Sequence, residues 1–114
     1  MLTVKTLNEF GADTSDGLKR CMGLEDFYLD LVRSVIDDTQ LSMLEKALNE
    51  GERDRAFEYA HALKGVYANL SLNPLYEPLA EMTEILRAGS GADCSGLMQQ
   101  AKDAFSRLKA LADS

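Results

Sequence analysis

His61 is the only histidine in the 114-residue chain, so no second imidazole shares whatever acid, base or nucleophilic work is done near neutral pH. The two cysteines, Cys21 and Cys94, form no CxxC pair, and one histidine cannot complete a zinc site with them at any recognised spacing. No metal site is expected. Ser-His-Asp or Cys-His catalysis would need His61 itself as the base. The chemistry open to this chain therefore turns on the surroundings of one side chain.

Those surroundings follow from placing Glu52 to Leu70 on a helix, with successive residues about 100° apart. Ala56, Tyr59, Leu63, Val66, Tyr67 and Leu70 fall within about 60° of the pole opposite His61, which predicts that this pole faces the core and His61 faces solvent. Asp54, Phe57, Glu58, Gly65 and Ala68 share the outer face, with Lys64 about 60° to one side, one turn on. Most lone histidines are packing residues or surface decoration. The outward orientation argues against packing, and Gly65 argues against decoration. Glycine inside a helix costs about 1 kcal/mol relative to alanine, and no turn needs it here. Its missing side chain leaves the imidazole uncovered, and Ala68 keeps the next turn low. Clear access beside an ammonium suits a bulky anion. A neutral imidazole is a nucleophile near physiological pH, and Lys64 can offset the charge of a phosphoryl group. Glu58, one turn before His61, is placed to orient the ring, although solvated helix residues also have these types and spacings.

The elements that must hold this face are helical. The chain has 18 Leu and 13 Ala against four Val and two Ile, which favours helix over strand. A short helix over about Val4 to Phe10 ends at Gly11. Asp13 to Asp16 offers caps for a second piece reaching Cys21, and the two together read as a lid. Phe27, Tyr28, Leu31, Val32, Val35 and Ile36 keep helical spacing, and Leu41, Leu44 and Leu48 resume it out of phase, so a long helix kinked or briefly interrupted at Asp37 to Gln40 is expected. Gly51 closes that segment. After the His61 helix, Asn73-Pro74 reads as an N-cap followed by proline, opening a helix through Leu86 that Gly89 terminates, with Pro78 making its start ragged. Gly89 to Ala92 is a flexible connector. Asp93 caps a last helix whose face is Leu97, Ala101, Ala104, Phe105, Leu108 and Leu111. The fold class is all-α: one domain over 1–114, an antiparallel four-helix bundle with a short N-terminal helical extension.

A net charge of -7 gives the chain no basic stripe for nucleic acid or an anionic membrane. No run approaches 18 apolar residues, and the start lacks the pattern of a signal peptide. A reduced, cytoplasmic protein is the expectation.

The segment Ala60-His61-Ala62-Leu63-Lys64-Gly65-Val66-Tyr67-Ala68-Asn69-Leu70-Ser71-Leu72, followed by Leu75, resembles the signature of histidine-containing phosphotransfer (HPt) domains. The shared pattern is a histidine with lysine three residues on, glycine four on and small residues through the next turn. The resemblance covers essentially the whole chain, including the Gly51 turn about ten residues before the histidine. Two positions depart from it: Tyr67 stands where the family usually has Ala or Ser, and Ser71 where it usually has Gly.

The resemblance implies a phosphorelay carrier. His61 would accept a phosphoryl group from the aspartate of one receiver domain and pass it to another, with Lys64 stabilising its charge, Gly65 giving access and Glu58 orienting the ring. Phe57, Ala68 and Leu72 would line the docking surface. The partners would be response-regulator receiver domains and a hybrid sensor histidine kinase, met by a monomer. It would need no cofactor of its own, magnesium coming from the receiver's acidic pocket. No Gly-rich phosphate loop is present, so phosphorylation from ATP is not expected. The initial Met and the full set of helices favour a free-standing relay over a piece of a larger kinase. A catalytically silent helical adaptor that binds the same partners is the alternative.

Overall fold

The computed structural model describes residues 1–113, all of them helical or in turns and loops. The expected domain ends at Ser114, which lies outside the described residues. The helices in chain order are α1 (Val4–Phe10), α2 (Thr14–Arg20), α3 (Glu25–Asp37), α4 (Gln40–Asn49), α5 (Arg53–Asn69), α6 (Asn73–Arg87) and α7 (Ser95–Asp113). α4 packs on α5, α5 on α6 and α6 on α7, while α3 and α1 lie against α7. One core joins them, with Leu7, Tyr28, Val32, Leu44, Leu63, Tyr67, Leu79, Met82 and Leu108 at most 2% exposed.

The out-of-phase apolar stripe between Val35 and Leu41 corresponds to a real break. The Asp38 carboxylate accepts the Gln40 amide at 3.0 Å, so α3 stops and α4 restarts with its own register. The last helix begins one residue later than expected: the Cys94 carbonyl takes the Met98 amide at 2.8 Å, and Asp93 supports the start from just outside, its Oδ1 accepting the amide of Ser95 at 2.9 Å. The connector before it is tied down: Arg53 Nη2 donates to the Ser90 carbonyl at 2.7 Å.

The same hydrogen-bonded turn brackets the His61 helix at both sides. Ahead of α5, the Glu52 amide reaches the Ala47 carbonyl and the Gly51 amide reaches Leu48, with Gly51 at φ 73°. At its far end Leu72 reaches Tyr67 and Ser71 reaches Ala68, with Ser71 at φ 53°. This is the Schellman closure, which needs a left-handed residue at its fifth position and favours an apolar one at its sixth. Ser71 holds the left-handed conformation that glycine adopts without strain, which accounts for glycine as the usual residue there.

The closure also corrects two expectations. Leu72 is the sixth residue of the turn and is 0% exposed, so it packs in the core and lines no docking surface. It is also the N-cap of α6, its carbonyl taking the Leu75 and Tyr76 amides, which moves Asn73 and Pro74 inside the helix.

The N-terminal pair closes over this turn. The Asp13 amide donates to the Ser71 carbonyl at 3.0 Å, the Ser71 hydroxyl donates to Asp16, and the Tyr28 hydroxyl donates to the Leu70 carbonyl at 2.9 Å. Gly17 admits Tyr28: a Cβ there would stand 2.6 Å from its ring and hydroxyl.

Candidate functional site

α5 presents His61 to solvent, as its helical position predicts. The buried stripe of α5, however, is Ala56, Ala60, Leu63, Tyr67 and Leu70, not the set centred on the pole opposite His61. It is turned about 40° from that pole, covering Ala60 at 0% exposure and leaving Val66 at 37%. The extensive α5–α6 packing pulls the helix this way, because it buries the flank that carries Phe57, Ala60 and Lys64. Tyr67 belongs to the core at 1% exposure, and burial pushes its phenol well above the ordinary range. It therefore does not narrow the approach to Lys64.

The imidazole has a ring neighbour on its own helix. Phe57, one turn earlier, stacks on His61 with centroids 5.7 Å apart and planes 16° from parallel. Phe57 is half-buried against the core and covers one side of the histidine. Arg87 from α6 lies over the same Phe57 ring, 5.6 Å from its centroid. Asp54, Phe57, Glu58, Leu86 and Arg87 line an open hollow of about 450 Å³ beside the histidine. Glu58 is exposed.

Lys64 is half-buried, 28% exposed, with Nζ 3.9 Å from Glu84 Oε1 on α6. The same oxygen lies 3.8 Å from Arg87 Nε. Gly65 is exposed, helical, and a Cβ built on it would meet nothing within 4 Å. Ala68 is partly exposed on the next turn. Among the described residues no three His, Cys, Asp or Glu side chains gather to hold a metal ion.

Sequence reasoning missed Arg87 and Glu84. The available signal was their spacing, since Glu84 and Arg87 share one face of an amphipathic helix that must lie against α5. Which face of α5 they meet depends on how the two helices pack.

A family model described as the Hpt domain matches residues 30–111, well over half of the chain. The chain belongs to the Hpt domain family. No curated protein and no solved structure matches it. Among the described residues no helix is long and apolar enough to cross a membrane.

Proposed function

We propose that this Hpt domain is a histidine phosphotransfer protein of a two-component phosphorelay, with His61 as its phosphoryl carrier. The unprotonated ring nitrogen attacks the phosphorus of a receiver's aspartyl phosphate. The N–P bond forms as the P–O bond breaks, and that electron pair returns to the aspartate carboxylate. The reverse reaction delivers the group to the aspartate of a second receiver. Such transfer is mostly positioning and charge neutralisation, which Phe57 and Lys64 are placed to provide. Magnesium is the receiver's contribution.

The observation that carries this reading is Gly65. Among the described residues nothing occupies the space its side chain would take, so neither packing nor backbone conformation asks for glycine. A helix gives up about 1 kcal/mol there, and the room so created lies beside His61, outside the chain.

The contacts of α3 with α7 and of α4, α5, α6 and α7 in succession support an antiparallel four-helix bundle, α3 and α4 acting as one broken helix. The partners in this reading are receiver domains and a hybrid sensor histidine kinase, met in the cytoplasm by a monomer. The deciding experiment mixes the protein with a panel of phosphorylated receiver domains and follows the label. Base-stable, acid-labile label on the wild type and none on His61→Gln is expected. Binding without label across the panel would instead establish a silent adaptor.

A further inference from the structure

Glu84 stands between the two cations that α5 and α6 bring to the site. Its Oε1 lies 3.9 Å from Lys64 Nζ and 3.8 Å from Arg87 Nε. Lys64 is one turn beyond His61, and Arg87 rests on the Phe57 ring that stacks on His61. One carboxylate is thus shared by both positive groups, one a turn beyond His61 on α5 and the other against the ring that stacks on it.

Both pairs are loosely made. The Lys102–Glu45 pair between α4 and α7 closes to 2.8 Å, whereas Glu84 is 62% exposed and stays near the limit of ion-pair distance from each cation. Exposed pairs of this kind are weak and screened by salt, so either cation leaves at little cost. A phosphoryl group on His61 would carry more negative charge than a carboxylate and three acceptor oxygens, and would draw the same cations more strongly.

Resting on the phosphotransfer reading above, we infer that Glu84 is a resident counter-anion. It holds Lys64 and Arg87 beside His61 in the unphosphorylated protein and yields them to the phosphoryl group. Releasing Glu84 subtracts from the stabilisation these cations give the phosphohistidine and leaves a carboxylate facing it. Glu84 thereby keeps the group disposed to move on to the next receiver. It acts through Lys64 and Arg87 and is a positioning residue, not a catalytic one.

The test measures how phosphoryl groups partition at equilibrium between the protein and a receiver domain that phosphorylates it. Glu84→Gln is expected to shift the partition about two- to fivefold toward phosphohistidine at low salt, with the shift shrinking at high salt. Glu84→Asp, which keeps the charge, is expected to restore most of the wild-type partition. An unchanged partition in Glu84→Gln, or a shift toward the receiver, would overturn the proposal while leaving phosphotransfer itself standing. If Glu84 merely ties α6 to α5, its loss lowers thermal stability and leaves the partition where it was, which also overturns it. A wild-type protein that accepts no phosphoryl group from any receiver removes both readings together.

Discussion

Replacing Gly65 by alanine adds a methyl group that meets no neighbour within 4 Å, so the change acts almost purely on helix propensity. Gly65→Ala is expected to stabilise the fold by about 1 kcal/mol, read as a rise in the thermal midpoint. Gly65→Leu should be comparably stable yet block phosphoryl transfer, because its side chain extends toward the imidazole one turn away. Transfer surviving in Gly65→Leu would refute the access argument. Lys64→Ala removes a half-buried cation whose partner is a distant, exposed carboxylate, so the fold should persist. Slower transfer or a shorter-lived phosphohistidine, followed by label decay, is the expected result, and unchanged kinetics would make Lys64 a solvated helix residue. His61, Lys64 and Gly65 were legible in the sequence because their relations are local to one helix. Phe57 was placed on the right helix face, but its stacking on His61 was not legible, since a helical wheel does not show which ring lies on which.

The end of α5 invites a different test. Ser71 sits at φ 53°, where alanine is strained by about 1 kcal/mol and glycine is not. Both Ser71→Ala and Ser71→Gly lose the hydroxyl that donates to Asp16, so the glycine variant should be the more stable by about that margin. The Ser71 hydrogen bond, with that from Arg20, holds the Asp16 carboxyl below its ordinary value of 3.8. A depressed carboxyl contributes stability above 3.8 and loses it as pH falls through the folded value. In Ser71→Ala the Asp16 carboxyl should titrate closer to 3.8, as followed by carboxyl NMR, and an unmoved titration would show that the hydrogen bond is unimportant. Element boundaries were readable from caps and breaks such as Gly11, Asp38, Gly51 and Asp93, each a local signal. The burial of Leu72 was not, because it depends on how the chain turns after α5. The chain reverses at Ser71, and the apolar residue after a left-handed one folds back into the core.

At the scale of the molecule, the helix pairing decides what the wheel leaves open. Val66 was expected in the core and Ala60 was overlooked, because the apolar pattern of α5 fixes the stripe's width but α6 sets its direction. The core also sets the alkaline limit. Burial pushes the Tyr28 phenol up to about 12 and raises Tyr67 as well, both from 10. A raised pKa contributes stability in full below 10 that is lost as pH rises through the folded value. Unfolding with rising pH, followed by circular dichroism, should therefore begin above 10, and Tyr67→Phe should shift its midpoint upward. A midpoint independent of Tyr67 would place the alkaline weakness elsewhere. Gly17→Ala would drive a Cβ into the Tyr28 ring and break its hydrogen bond to Leu70, costing about 1–3 kcal/mol. Gly17 is thus kept by the fold, whereas no contact among the described residues keeps Gly65. Over generations, a copy released from its partners could acquire a side chain at position 65 and become more stable, while one at position 17 would be purged. The history of these two glycines among descendants would then separate lineages that still relay from lineages that only persist.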